Sequence, residues 1–214
     1  MDTHTIDEHL KKKIADQLKP GKTALIVVDV QVDFCHAQGA FGKKNFDLSS
    51  IDPAVNNILS LMSRCRQVGV PIIFVRTLHS PWTDSDSWVG RLKGAGGEMG
   101  ICRPNTRGVE FYKVKPEADD FIVTKHRFSG FVGTDLDLVL RGHGIETLLM
   151  TGVATNVCVE TTARDGFNRD YHIILVEDCC AAFSPEEHAS TITNISKYFG
   201  IVGHSKVLAE MMKG

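Results

Sequence analysis

Three residues that could do chemistry each stand at the end of a predicted buried strand. Asp29 follows the apolar run TALIVV, Lys125 closes the run FIVTK, and Cys158 follows the run TLLMTG at the predicted start of a helix. Carboxyl ends of parallel strands meet at one edge of a sheet, so we expect the three side chains to converge there. An aspartate, a lysine and a cysteine could together form a base, an orienting cation and a nucleophile.

The predicted chemistry begins with the thiol of Cys158. A cysteine attacks as thiolate, and its pKa falls at a helix N-terminus and beside a lysine, so we expect a lowered pKa here. Asp29 would take the thiol proton and later deliver it to a leaving nitrogen, while Lys125 holds the carboxylate in place. Considered singly, each residue has a plainer interpretation: Cys158 as a packed thiol, Asp29 as a turn residue and Lys125 as a solvated charge.

The turn GVATNVC could supply the electrophilic half of the site. Backbone N–H groups at a helix start can point at the oxygen of a tetrahedral intermediate, and we assign this oxyanion hole to the N–H groups of Ala154 and Cys158. Gly152 and Ala154 are small, which predicts close approach of a substrate to the backbone.

The elements that must position these residues alternate between strands and helices. Strands are predicted at residues 23–28, 70–75, 121–125, 147–152, 172–178 and 200–203, with helices at 53–68, 135–141, 159–169 and 185–198. This alternation predicts an α/β fold: a doubly wound, mainly parallel six-stranded sheet with helices on both faces. The segment 76–120 lacks sustained periodicity, which is typical of a lid or binding loop.

Composition excludes several classes of partner. The chain has 214 residues, with 24 Lys and Arg against 26 Asp and Glu, and its scattered basic residues argue against a nucleic-acid partner. No apolar run could span a membrane, and the polar N-terminus lacks a signal core, so we expect a soluble, cytoplasmic protein. Six cysteines without dense spacing fit free thiols in a reducing compartment, and no paired C-x-x-C pattern indicates zinc.

Residues 1–22 are predicted to form a helical arm ahead of a single domain at 23–214. Ile6, Leu10, Ile14 and Leu18 recur four residues apart and so form an apolar stripe. The stripe could cover the protomer's own core or reach across a subunit interface. We expect the second arrangement, and with it a homo-oligomer, either dimer or tetramer.

The motifs ALIVVDVQVDFC, KHRFSGFVGTDLDLVLRGHGIETLLMTGVATNVCVETTARDGF and VEDCCAA resemble those of the isochorismatase-like cysteine hydrolases. The resemblance covers nearly all of residues 23–203. It implies that Asp29, Lys125 and Cys158 form a catalytic triad and that the Val153–Ala154 peptide is cis.

Departures within the family narrow the expected reaction. Isochorismatases proper lack the cysteine, so Cys158 indicates an amidohydrolase. Nicotinamidases carry a D-x-H-P-x-x-H metal motif, whereas here Thr77 stands at the Asp position and the second His is missing, so we expect no metal and no other cofactor.

The variants R-D-G-F and K-x-R-F-S-G-F look most like the ureidoacrylate, biuret and N-carbamoyl amidohydrolase branches. The resemblance therefore implies cleavage of a small ureido or carbamoyl amide through an acyl-enzyme, with loss of ammonia. By position, Phe34, Trp82 and Phe128 are candidate substrate-binding walls, although ordinary packing explains each nearly as well.

Three alternative functions remain open at this point: a nicotinamidase-like amidase of another small primary amide, a non-catalytic binding member of the fold, and a peroxide-sensitive thiol protein. Retention of all three triad residues argues against the second. The third would require a resolving cysteine, which the sequence does not single out.

Overall fold

The computed structural model describes residues 8–90 and 100–212, which form one six-stranded parallel sheet with the strand order β3-β2-β1-β4-β5-β6. The strands are β1 (Thr23–Val28), β2 (Ile72–Thr77), β3 (Phe121–Lys125), β4 (Thr147–Val153), β5 (His172–Ala181) and β6 (Ile201–Gly203). The predicted doubly wound fold is therefore confirmed.

Helices connect the strands and lie on both faces of the sheet. They are α1 (Glu8–Gln17), α2 (Val32–Cys35), α3 (Ala40–Lys43), α4 (Ile51–Gln67), α5 (Asp86–Gly90), α6 (Leu136–Gly142), α7 (Glu160–Phe167), α8 (Pro185–Asn194) and α9 (Ser205–Met211). Single π-helical turns precede α7 at Thr155–Val159 and follow α8 at Ile195–Phe199. Within the described residues, no helix is long and apolar enough to cross a membrane.

The central strand β1 is buried on both faces, as its unbroken apolar run predicts. Leu25 and Val27 face one core cluster, which includes residues of α1, α4 and α9. Ala24 and Ile26 face a second cluster, which includes residues of α6 and α7. Because side chains alternate along a strand, one short run supplies both cores.

The winding direction reverses between β1 and β4, which are adjacent but distant in sequence. Gly152 of β4 pairs with Val28 of β1. Its φ is 120°, and a Cβ at this position would lie 2.0 Å from the carbonyl oxygen of Val28. The small residue is thus needed where the two strands meet, a packing role beyond the substrate approach that the sequence predicts.

The N-terminal helix differs from the predicted interface arm. Ile14 is 0% exposed and Leu18 is 6% exposed, both within the protomer's own core, and Leu10 packs against that core. The hydroxyl of Thr147 also donates a hydrogen bond to the carbonyl oxygen of Gln17 over 2.9 Å. Covering the core edge removes this apolar surface from water within one chain. Ile6 lies outside the described residues.

Candidate active site

Asp29 begins the site at the carboxyl end of β1. Its backbone has a φ of 51°, a left-handed conformation that Asp tolerates better than most residues. The N–H group of Asp29 donates to the carbonyl oxygen of Val75 over 2.8 Å, which ties the turn to β2. This turn places the carboxylate, which is 0% exposed, beneath the end of the sheet.

Gln31 fixes the neighbouring end of β2. Its side chain accepts a hydrogen bond from the N–H of Thr77 over 2.7 Å and donates to the carbonyl oxygen of Thr77 over 3.0 Å. The same amide donates to the carbonyl oxygen of Val109 over 3.0 Å. One buried side chain therefore joins the two strand ends to the long loop.

Lys125 brings the predicted triad together. Its Nζ lies 2.7 Å from Oδ2 of Asp29 and donates to Sγ of Cys158 over 3.4 Å. Burial by itself lowers the pKa of Lys125, but the charges of Asp29 and Cys158 outweigh it, so the pKa is raised. The ammonium therefore stays charged in a site that excludes water.

The pKa of the Cys158 thiol is raised, contrary to the lowered pKa that the sequence predicts. Burial is the largest cause, and the adjacent Asp29 carboxylate also raises the pKa, while Lys125 lowers it. Desolvation disfavours a thiolate more than one nearby ammonium favours it. A raised pKa favours the protonated thiol, so the attack needs a base that removes the proton from the sulfur.

The segment that carries Cys158 is a single π-helical turn between β4 and α7, where the sequence predicts the start of an α-helix. It follows a cis peptide between Val153 and Ala154, as the resemblance implies. The carbonyl oxygen of Ala154 accepts from the N–H groups of Val157 and Val159 over 3.1 and 3.2 Å. These contacts hold the turn over the end of the sheet.

A cavity of about 250 Å³ opens above the triad. Its lining residues are Phe34, Phe41, Phe46, Thr77, His79, Trp88, Ile101, Lys125, Phe128, Ala154, Asn156, Val157, Cys158, Phe183 and Glu187. The structure thus brings Phe34, Phe128, Ala154, Lys125 and Cys158 to one cavity. The cavity lies at the carboxyl ends of the strands, near the point between β1 and β4 where the winding direction reverses. Open α/β sheets bind their ligands at this point.

Trp82 does not lie in this lining, so its assignment as a pocket wall is wrong. The side chain is 97% exposed, in the turn before α5. Trp88 of α5 lines the cavity instead, and its ring centroid lies 4.8 Å from that of Phe128. A loop without periodicity gives no means of choosing between two nearby tryptophans.

Thr77 is a site residue whose role the sequence does not predict. Its Oγ1 donates to Oδ1 of Asp29 over 2.9 Å and accepts from Nζ of Lys125 over 2.7 Å. Sequence comparison marks Thr77 only as a missing metal ligand. Its place at the end of β2, beside β1, is the feature that indicates a role.

Asn156 is a second lining residue that sequence reasoning does not select. Its Oδ1 is buried and has no hydrogen-bond partner among the described residues. Asp33 lies outside this lining, and both of its carboxylate oxygens are engaged: it accepts hydrogen bonds from the N–H groups of Ala40 and Cys102 over 3.0 and 2.6 Å. Asp33 therefore fastens the loop after residue 100 to α2.

Metal-ligating side chains do not cluster in residues 8–90 and 100–212, where no group of three or more His, Cys, Asp or Glu is placed to hold an ion. Together, the fold and the site define an α/β protein with a small cavity where the winding direction reverses. A cluster of Asp29, Lys125, Cys158 and Thr77 lies at the bottom of this cavity.

The chain belongs to the isochorismatase family, because residues 23–206 match the isochorismatase domain. It is 33% identical to the ureidoacrylate amidohydrolase RutB of Pseudomonas savastanoi pv. phaseolicola over 207 residues, covering 86% of this chain and 81% of that protein.

Solved structures show the same relationship. A cysteine hydrolase from Pseudomonas syringae pv. phaseolicola has a TM-score of 0.80 and 30% identity, with 92% of this chain and 94% of that chain covered. N-carbamoylsarcosine amidase from Thermoplasma acidophilum has a TM-score of 0.69 and 29% identity, with 86% and 96% covered.

Proposed function

We propose that the protein is a cysteine-dependent amidohydrolase that cleaves a small ureido or carbamoyl amide through an acyl-enzyme and releases ammonia. The broader class, a hydrolase of non-peptide C–N bonds, follows from its family and relatives. The observation that carries the finer proposal is the ammonium of Lys125, 2.7 Å from Asp29 and 3.4 Å from Cys158 at the floor of the cavity.

In the first half of the reaction, Asp29 takes the proton from the Cys158 thiol as Sγ bonds to the substrate carbonyl carbon. The carbonyl oxygen becomes an oxyanion. When the tetrahedral intermediate collapses, the C–N bond breaks, and the protonated Asp29 gives its proton to the leaving nitrogen, so that ammonia departs. A thioester to Cys158 remains.

In the second half, a water molecule attacks the thioester carbon and gives a proton to Asp29. The C–S bond breaks, the proton returns to the sulfur, and the acid or carbamate product leaves. The same carboxylate serves as base and acid in each half, which requires that it stay beside both the sulfur and the substrate. Its contacts with Lys125 and Thr77 hold it there.

Lys125 supplies the electrostatic part of the mechanism. Once Asp29 has taken the proton, the carboxyl group is neutral and the sulfur bears the negative charge, 3.4 Å from the ammonium. Since the site is buried, this attraction is screened little by water. The raised pKa of Lys125 keeps the cation in place throughout.

The oxyanion is assigned to the backbone N–H groups of Ala154 and Cys158, as the turn sequence predicts. Both residues line the cavity. Donors that are fixed before reaction stabilise charge as it develops, typically by about 3–4 kcal/mol per donor. An N–H of a ureido group would suit Asn156, whose buried Oδ1 has no hydrogen-bond partner within the described part of the chain.

An ammonia-release screen tests the proposal. The panel contains ureidoacrylate, biuret, N-carbamoyl amines and nicotinamide, each assayed with the wild-type protein and with Cys158→Ala. Release from at least one ureido or carbamoyl compound should be faster than release from nicotinamide, and it should persist after treatment with EDTA.

Other outcomes would favour the alternatives. A preference for nicotinamide would indicate the nicotinamidase-like function, and recovery of EDTA-inhibited activity by zinc or manganese would contradict the metal-free mechanism. No release from any compound, or equal release with Cys158→Ala, would contradict the proposal itself.

A further inference from the structure

Four phenylalanine rings form one wall of the cavity. Phe41 lies at the centre, with ring centroids 5.3 Å from Phe34, 4.5 Å from Phe46 and 4.7 Å from Phe183. Phe46 and Phe183 are themselves 5.2 Å apart. These rings come from α2, α3, the segment after α3 and the segment after β5, so distant parts of the chain converge to build one aromatic surface.

A second group of rings lines the same cavity. Trp88 lies 4.8 Å from Phe128 and 5.2 Å from His79, measured between ring centroids. The aliphatic side chains of Ile101 and Val157 add to the lining. Most of the surface that a substrate would contact beyond the triad is therefore apolar or aromatic.

Lys125 is the one lysine or arginine among the described lining residues, and its ammonium is already engaged. It donates to Oγ1 of Thr77, to the carbonyl oxygen of Arg127 and to Sγ of Cys158. An ammonium group has only three N–H donors, so these partners leave none of them free. It also forms the ion pair with Asp29, so it is committed to the triad.

Glu187 is the one Asp or Glu among the described lining residues. It belongs to the first turn of α8, and its side chain is exposed. Arg127 lies near Trp88 but donates to the carbonyl oxygens of Thr83 and His126 and is not in the lining. The described cavity therefore offers an anion no free lysine or arginine.

We infer that the substrate carries an uncharged, apolar group beyond its scissile carbonyl, either a flat ring or a branched aliphatic chain, and not a carboxylate. This inference rests on the proposed amidohydrolase function and narrows its substrate class. A carboxylate would lose its hydration against phenylalanine rings and face Glu187, whereas an apolar group would gain ring contacts. A cavity of about 250 Å³ suits one such small group.

Two matched pairs of amides test the inference. Ureidopropionate is paired with isopentylurea, and succinamate with isocaproamide. In each pair an isopropyl group replaces the carboxylate at nearly constant size. Ammonia release should give a kcat/KM at least about a hundredfold higher for the neutral member, because the acid must leave its charge unpaired in the cavity.

A charge placed in the wall provides the second measurement. Phe46→Arg, at a partly exposed ring, should reduce the ratio of neutral to acidic kcat/KM by about tenfold or more, chiefly by raising the rate with the acid. Trp82→Arg makes the same substitution outside the lining and should leave the ratio unchanged.

The outcomes separate this inference from the proposed function. Ammonia release that is equal or faster for the acids overturns the apolar substrate class and leaves the amidohydrolase function standing. Release from no member of either pair and from no ureido compound overturns both. An unchanged ratio in Phe46→Arg contradicts the assignment of the phenylalanine wall to this part of the substrate.

Discussion

Thr77 and Asp29 are joined by a buried hydrogen bond of 2.9 Å from Oγ1 of Thr77 to Oδ1 of Asp29. The same hydroxyl accepts a hydrogen bond from Nζ of Lys125 over 2.7 Å. A hydroxyl has one proton to donate, so accepting from the ammonium directs that proton to the carboxylate. Thr77 therefore positions the base relative to the cation, with Oδ2 left to the ion pair with Lys125.

Thr77→Val should lower kcat by about tenfold or more and change KM much less, because the valine keeps the shape but releases the carboxylate from its position. Thr77→Ser, which retains the hydroxyl, should restore most of the rate. Steady-state kinetics of ammonia release for the three proteins is the measurement. Equal rates for the valine variant and the wild type would remove Thr77 from the positioning role.

Cys158→Ala should abolish turnover and leave the fold intact, because the nucleophile is removed while the turn is held by backbone contacts of Ala154. Circular dichroism and thermal unfolding check the fold, and an acyl-enzyme trapped from the wild type should appear by mass spectrometry on the peptide that contains Cys158. The matched control is Cys65→Ala, which removes a buried thiol of α4 that is not part of the triad. This variant should retain turnover. A large residual rate in Cys158→Ala would contradict covalent catalysis by this residue.

Asp29→Asn should reduce the rate by roughly a hundredfold or more, because general acid–base transfer is lost. It should also destabilise the fold by about 3–5 kcal/mol, since the ammonium of Lys125, 1% exposed, would lose its counter-charge. Combining Asp29→Asn with Lys125→Met removes that charge, so the double variant should regain stability while staying inactive. Denaturant unfolding and ammonia assays measure the two effects, and recovery of activity in the double variant would exclude Asp29 as the base.

The strand framework of the site could be predicted because it depends on local pattern. The run TALIVV forms β1 at Thr23–Val28, and FIVTK forms β3 at Phe121–Lys125, with the boundaries that the sequence predicts. A buried parallel strand has to be apolar along its length, and this requirement leaves a clear trace in sequence. The convergence of Asp29, Lys125 and Cys158 then follows from topology alone.

The remaining features depend on contacts between distant segments, which leave no periodic pattern. The thiol pKa is one example: the helix and lysine visible in sequence favour a thiolate, but the burial that reverses the direction comes from packing. Thr77 is another, since its two partners, Asp29 and Lys125, come from the ends of other strands. The choice of Trp88 over Trp82 depends on how the long loop folds back onto the cavity. Hydrogen bonds to Asp33 from the backbone N–H groups of Ala40 and Cys102 help to hold the loop against α2 and α3.

Stability should fall as pH rises above about 8.5, the ordinary pKa of a cysteine. All six thiols are buried, and burial raises the pKa of each, that of Cys65 to about 12. Between those two values the unfolded chain loses thiol protons that the folded chain keeps. The unfolded state then binds fewer protons, so the free energy of unfolding decreases with pH, by up to about 1.4 kcal/mol per pH unit for each thiol.

Denaturant unfolding between pH 7 and pH 10 measures this slope. The free energy of unfolding of Cys65→Ala should fall less steeply with pH than that of the wild type, because one of the six thiols is missing. This difference in slope is expected whatever the stability of the variant at neutral pH. A slope that is flat in the wild type, or unchanged in the variant, would show that the folded thiols ionise as readily as unfolded ones.

Ile14→Ala should lower the free energy of unfolding by about 2–5 kcal/mol, because the side chain is 0% exposed in the core that α1 covers. Lys12→Ala, an exposed position on the same helix, should change it by less than about 0.5 kcal/mol and serves as the control. Since the contact lies within one protomer, the loss for Ile14→Ala should be the same at low and high protein concentration. A loss that shrinks as protein concentration rises, together with a lower mass by light scattering, would instead place Ile14 at a subunit interface, since association stabilises folded subunits by mass action.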